Sequence, residues 1–378
     1  MIRSLLSSFA LTAALISSAQ SASRMDFETY DPVSTLVVPE HKLHKAKFPF
    51  IDVHNHQWDG PGQDVKKLIT EMDSLNMKVM INLSGRGYKE TQGRNGFFDL
   101  GDHAYLVDYM KSIAAVDARR VKFFTNISFV NFGNKGWIEK TLHDLEDDVK
   151  AGACGLKIYK DLGMSFKDEN NKFIAIDDPR LDPVWDKCGE LNIPVLIHSA
   201  DPASFWKPED EHNERWLEIK THPDRKRSAT DPAPWETLIE EQHRMFKKHP
   251  NTTFIAAHFG WYANNLGKLD SLLTQLPNVL VEFGAVIAEL GRQPVAAKKF
   301  FEKYQDRILF GKDSWAPEEY TTYFRVLETE DEYFPYHKKY HAFWRMYGIG
   351  LPDSILKKVY YKNALRIIPG IDKSQFPE

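Results

Sequence analysis

Short apolar runs rich in β-branched and aromatic residues recur along the chain. They are separated by longer stretches in which apolar residues return every three or four positions. The runs are 50–54 (FIDVH), 78–83 (KVMINL), 121–127 (VKFFTNI), 154–159 (CGLKIY), 194–198 (PVLIH), 253–258 (TFIAAH), 279–283 (VLVEF) and 307–312 (RILFGK). Each is short and almost continuously apolar, which predicts strands buried on both faces. Between them Val65, Leu68, Ile69 and Met72 keep helical spacing, as do Leu266, Leu269, Leu272, Leu273 and Leu276, and later Ile355, Leu356, Val359 and Tyr360. Strands and helices alternating in this way predict an α/β chain: a single (β/α)8 TIM barrel over 50–370. A doubly wound open sheet is the weaker alternative, because no glycine-rich phosphate turn follows the first run.

Two connections exceed simple barrel turns. One runs from Ser199 to about Ala233 after strand 5, the other from Ser314 to about Leu351 after strand 8. Both leave C-terminal strand ends, where barrel active sites are built, and long loops there are usually functional. The second is dense in aromatic residues, among them Trp315, Tyr320, Tyr323, Tyr336 and Trp344. That density predicts either a small packed subdomain or a lid and pocket wall.

The N-terminus departs from this pattern. Arg3, the apolar stretch Leu5 to Ile16 and the small polar residues Ser17 to Ser23 have the layout of a signal peptide over 1–22. The apolar stretch falls well short of the roughly twenty residues that span a bilayer, so export to the periplasm or the medium is expected, without stable membrane insertion. Residues 24–49 are polar and contain proline, which predicts a segment wrapping the outside of the barrel. The 378 residues are 42% hydrophobic and 27% charged, with a net charge of −4. This is a globular composition with no basic surplus, so nucleic acid is not an expected partner. Cys154 and Cys188 form no C-x-x-C pair and are expected to be buried free thiols.

The candidate chemistry lies at the strand ends. His54 and His56 form an H-x-H pair at the end of strand 1, where period-two alternation turns both imidazoles to one side. His198 ends strand 5, His258 ends strand 6 and Asp313 follows strand 8. A single strand-end histidine is usually structural, and H-x-H alone is a weak signal. Four histidines and an aspartate at the same ends of different strands point to a divalent metal site.

With this order of residues the chain resembles the amidohydrolase superfamily. The segments IDVHNH, AAHFGW, ILFGKDSW and VYYKNALRIIPG are most similar to its amidohydrolase-related branch, over about residues 50 to 370. That branch contains metal-dependent hydrolases, lactonases and non-oxidative decarboxylases of the aminocarboxymuconate-semialdehyde type. The resemblance implies that His54, His56 and Asp313 hold the metal, with His198 as a fourth ligand. It implies that His258 holds or polarises substrate or activates a water. A zinc ion with an open position brings a bound water to a pKa of about 7, and Asp313 could take a proton from it and pass it to the leaving group. One ion per chain, zinc, is expected rather than two.

Lys157 leaves three readings open: a carbamate bridging two metals, as in binuclear members, a substrate-binding ammonium, or a lysine paired with a barrel acid. The substrate-binding expectation covers Lys157, Arg215, Arg292 and Trp315. Arg215 is suited to a carboxylate, and Glu289 and Arg292 either pair with each other or face the site. Asp201 and Trp206 are weaker pocket candidates, and Asn82 and Asn126 are candidate hydrogen-bond donors to substrate. His41, His249 and His341 lack strand-end placement and are expected to be surface or structural. The leading function is metal-assisted hydrolysis of a small ester, lactone or amide. The alternatives are a decarboxylase acting on an unsaturated or aromatic acid and a barrel that binds a ligand without catalysis. The expected partner is a small-molecule substrate, with a homodimer left open.

Overall fold

The computed structural model describes residue 26, residues 28–87, residues 89–90 and residues 98–378. The expected signal segment 1–22 lies outside the described residues. The chain divides into two compact units, 1–37 and 38–378. In the larger unit, the later part of the predicted wrapping segment lies against the barrel. His41 N donates to Asp331 Oδ2 at 2.7 Å, and Ala46 N donates to Leu75 O at 3.1 Å.

The predicted strands form as a parallel ring. They are β1 (Phe50–His56), β2 (Met77–Asn82), β3 (Val121–Phe123 and Thr125–Asn126), β4 (Leu156–Ile158), β5 (Val195–Ile197), β6 (Phe254–Ala256), β7 (Val279–Glu282) and β8 (Ile308–Leu309 and Asp313–Ser314). In chain order each is hydrogen-bonded to the next, and Asp313–Ser314 returns to pair with Asn55 and His56 of β1. Two strands are interrupted where one continuous run was expected. β3 breaks at Phe124, whose N–H still reaches Asn82 O. β8 breaks before Asp313, which takes a left-handed φ of +87°.

Outside the ring pack α1 (Val65–Ser74), α2 (His103–Asp117), α3 (Trp137–Ala151), α4 (Asp182–Glu190), α5 (Trp235–Lys248), α6 (Leu266–Gln275), α7 (Pro294–Lys303) and α8. α8 runs from Asp353–Lys357 through a π turn at Lys358–Lys362 into Asn363–Ile367. Short polar residues start several of these helices. Asp64, Asp102 and Asn265 accept from the N–H groups of Lys67, Tyr105 and Lys268, satisfying donors that the first turn leaves unpaired. No helix among the described residues is long and apolar enough to cross a membrane. Cys154 and Cys188 are buried and free, as expected.

Both long connections rise from the C-terminal ends of the strands. The first carries the helix Trp216–Thr221. The second carries the helix Tyr320–Glu328 and an antiparallel pair, Phe334–Pro335 with Arg345–Met346.

Candidate metal centre

β1 brings His54 and His56 to the C-terminal mouth of the ring, and its pairing with Asp313 brings the carboxylate beside them. Asp313 Oδ1 lies 3.2 Å from His54 Nε2 and 3.8 Å from His56 Nε2. The ligand atoms of these three residues fall within 4.8 Å of one another. This spread suits an ion with bonds of about 2 Å.

The histidine tautomers follow from what each Nδ1 meets. His54 Nδ1 lies 2.8 Å from Glu282 Oε1, and His56 Nδ1 lies 2.7 Å from Ser84 Oγ. His258 Nδ1 lies 2.6 Å from Gly284 O, which accepts only, so that nitrogen carries a proton and Nε2 is left as an acceptor. His198 Nδ1 lies 3.3 Å from that Nε2 and donates to it. In the neutral rings, Nδ1 of His54 and of His198 is therefore engaged as a donor and each Nε2 keeps a lone pair, whereas the Ser84 hydroxyl can either accept from His56 Nδ1 or donate to it. Nε2 of His54 and of His198 are buried with no hydrogen-bond partner among the described residues. Such atoms are costly unless something meets them, and histidine ligands commonly have the other ring nitrogen held in this way. The donor set fits a divalent ion on His54, His56 and Asp313; the predicted fourth ligand, His198, lies against His258 and falls outside this cluster. His258 forms a second cluster with His54 and Glu282.

The electrostatics agree. Burial alone would lower the His54 pKa, but the carboxylates of Glu282 and Asp313 raise it to about 9. A proton or a metal ion meets the same demand for positive charge. Burial, with the Lys157 ammonium, holds His56 well below its usual range; burial, with His258, does the same to His198. Burial opposes ionisation of Glu282 and Asp313, but His54 overcomes it, bringing Glu282 to about 2 and Asp313 well below its usual range.

Above this floor lies a cavity of about 270 Å³ walled by both long loops. His198, His258 and Asp313 line it, with Phe205, Trp261, Tyr323, Tyr336 and Tyr340 as its aromatic surfaces. The wall's cations are already paired. Lys160 Nζ meets Asp201 at 2.7 Å, Arg225 meets Glu218 at 2.6 Å, and Lys312 and Lys338 meet Glu319 at 2.6 and 2.8 Å.

The sequence matches the family model described as amidohydrolase over residues 51–370. The chain belongs to the amidohydrolase family. A search among curated proteins returned no match. Among solved structures, a TIM-barrel protein of Bordetella bronchiseptica is similar at 14% identity and a TM-score of 0.50, covering 84% of this chain and 97% of that one. A dihydroxybenzoic acid decarboxylase of Polaromonas sp. JS666, bound to manganese and 2-nitroresorcinol, is similar at 13% identity and a TM-score of 0.50, covering 85% and 96%. At these identities the likeness concerns the fold.

In this amidohydrolase-family chain, some predicted substrate-binding residues are committed elsewhere. Arg215 is buried, donates to Glu218 Oε2 at 2.8 Å and pairs with Glu289, so its guanidinium is not presented to the cavity. Arg292 pairs with Glu214 at 2.8 Å and lies over the Trp344 ring, not with Glu289. Trp315 Nε1 donates to Glu71 at 3.2 Å, away from the cavity lining. Asn126 Nδ2 donates to Leu83 O and Lys157 O, tying strand ends together. Lys157 is buried in the floor, its Nζ has no hydrogen-bond partner, and no ion pair to a barrel acid forms among the described residues. Burial lowers its pKa to about 8, against the opposing pull of Asp313 and Glu282.

Sequence reasoning missed Glu282. Glu282, at the end of β7, accepts from His54 Nδ1 and from the N–H groups of His258 and Gly284. Its signal was an acid at the end of an otherwise apolar strand. A Cβ at Gly284 would lie 2.8 Å from its Oε2, so glycine there leaves room for the carboxylate. His341 lines the cavity, 3.5 Å from Glu218.

Proposed function

We propose that this enzyme is a metal-dependent hydrolase of a small ester, lactone or amide, with one zinc ion per chain held by His54, His56, His198 and Asp313. The observation that carries the reading is that the ligand atoms of His54, His56 and Asp313 lie within 4.8 Å of one another, with Nδ1 of His54 held by Glu282 and Nδ1 of His198 held by His258. Bound there, the ion would supply Lewis acidity, polarising a carbonyl and making water a nucleophile near neutral pH. Asp313 stays ionised beside His54, so it can take a proton from the attacking water and return it to the leaving group. Glu282 holds His54 and the His258 backbone in register. The Lys157 ammonium offers a seat for negative charge on the substrate.

A decarboxylase uses the same ligands. The observation favouring it is Lys157 itself, a buried ammonium without a counter-ion, which would suit a substrate carboxylate. Metal analysis with a panel of lactones, esters, amides and unsaturated acids separates the readings. Hydrolysis releases a proton from an ester or lactone, or an amine from an amide, without carbon dioxide; carbon dioxide release overturns it in favour of the lyase. A zinc content of one per chain, kept in Lys157→Ala, is expected. Two ions falling to one in that variant would instead mark a carbamate bridge. We also propose that the chain is exported and begins near residues 20 to 24 when mature. An exported protein that still starts at Met1 on N-terminal sequencing would refute this.

A further inference from the structure

His258, Phe259, Gly260 and Trp261 form a run of four left-handed residues, with φ of 57°, 55°, 57° and 58°. Glycine enters this region freely, whereas the Cβ of each of the other three residues crowds the following carbonyl there. Such a turn persists only where its surroundings hold it. One end is held visibly: His258 N donates to Glu282 Oε1 at 2.8 Å and His258 Nδ1 to Gly284 O at 2.6 Å. At the other end the Trp261 ring stacks on His258, with centroids 4.5 Å apart and planes at 28°. Nothing among the described residues accepts from the Trp261 indole, although its Nε1 is buried.

A matching acceptor stands nearby. Glu289, in the helix Ile287–Gly291, is 4% exposed. Its Oε1 pairs with Arg215, while its Oε2 is buried with no partner among the described residues. Trp261 and Glu289 line the same small cavity, of about 20 Å³. A single water needs roughly 10–15 Å³ of such space. An indole can only donate and a carboxylate can only accept, so a molecule able to do both completes the pair.

We propose that one ordered water in this cavity accepts from Trp261 Nε1–H and donates to Glu289 Oε2, making Trp261 and Glu289 positioning residues for His258. The water fixes the far end of the left-handed turn as Glu282 and Gly284 fix the near end. It also connects the turn to Arg215, whose other contacts reach Glu218 in the loop after β5 and His341 O in the loop after β8. His258 in turn accepts from His198 Nδ1 and so leaves His198 Nε2 bare. The consequence for metal binding rests on the zinc reading proposed for this site; the water itself does not.

A high-resolution crystal structure of the full mature chain, grown with zinc, tests the water directly. A solvent peak within about 3.2 Å of both Trp261 Nε1 and Glu289 Oε2 is expected. An empty density map there, or a direct Trp261–Glu289 hydrogen bond, overturns the proposal whatever reaction the enzyme catalyses. Trp261→Phe keeps an aromatic ring and removes the donor. It should lose the water, give His258 a second side-chain conformation or a doubled imidazole resonance, and weaken zinc about 10-fold by chelator competition, the low end for outer-shell partners. An unchanged His258 and unchanged zinc affinity in a folded Trp261→Phe protein would remove the positioning role. If that variant does not fold, Glu289→Gln, which keeps the side-chain shape, carries the same test of His258 and zinc.

Discussion

The floor and the wall of the cavity are both crowded with ionisable groups, yet they are built on opposite terms. In the wall, Lys160, Arg225, Lys312 and Lys338 each meet a carboxylate within hydrogen-bonding distance, and behind it the buried Arg215 meets Glu218 and Glu289. In the floor, His198 Nε2 and Lys157 Nζ are buried without hydrogen-bond partners among the described residues, and His54 Nε2 has only the Asp313 carboxylate, 3.2 Å away. Satisfied charges hold structure. Buried polar atoms left unsatisfied are expensive, and they persist where a ligand or reaction uses them. The contrast separates scaffold from site more sharply than residue type does, since both regions use the same side chains.

That contrast can be broken at several points. The largest effect belongs to the ligands: His54→Ala and Asp313→Asn should each lose tightly bound zinc and drop turnover to background, with the fold retained by circular dichroism. Metal retained at wild-type level in both would contradict the floor's assignment. Next comes the wall. Arg215→Ala strands the buried Glu289 carboxylate and leaves Glu218 to Arg225 and His341; it should cost about 3–5 kcal/mol of stability in urea titrations, while zinc stoichiometry stays at the wild-type value. A loss of metal with little loss of stability would mean that Arg215 belongs to the site after all.

Lys157 sharpens the comparison through pH. Its folded pKa is lowered to about 8 from an ordinary 10.5 by burial. Below about pH 8 both folded and unfolded chains hold the proton, and the folded state bears the full cost. Between about 8 and 10.5 only the unfolded chain binds it, so stability of the metal-free protein should rise with pH by about 3 kcal/mol from this group. Lys157→Met should flatten that rise; a slope unchanged by the substitution would show that the ammonium is already compensated. The smallest effect is expected from Glu282→Gln, which loosens the hold on His54 Nδ1. A 10–100-fold loss of zinc affinity is the expected range for such a partner, measurable by chelator competition, and full affinity would show that His54 is oriented without it.

Much of this was legible in the sequence because strands buried on both faces leave continuous apolar runs, and because a barrel presents their C-terminal ends together. His54, His56, His198, His258 and Asp313 could be grouped on that logic before any geometry was known. What could not be read was pairing at a distance. Arg215 finds Glu289 across 74 residues and Arg292 finds Glu214 across 78, and no periodicity encodes either choice. Trp315 turns to Glu71 of α1 for the same reason. Glu282 was hidden differently: one acid in VLVEF reads as a flaw in a core strand until His54 is seen beside it.

The charge-matched wall also bears on how substrate arrives. Lys160, Arg225, Lys312 and Lys338 are offset at the cavity by Asp201, Glu218 and Glu319 of the wall and by Asp313 of the floor, so the side chains lining the cavity cast little net field into solvent. Enzymes whose clefts are lined with one sign of charge gather their ligands from afar and slow down as salt screens the attraction. Here capture should proceed by unassisted diffusion, and the second-order rate of encounter should change little as ionic strength is raised.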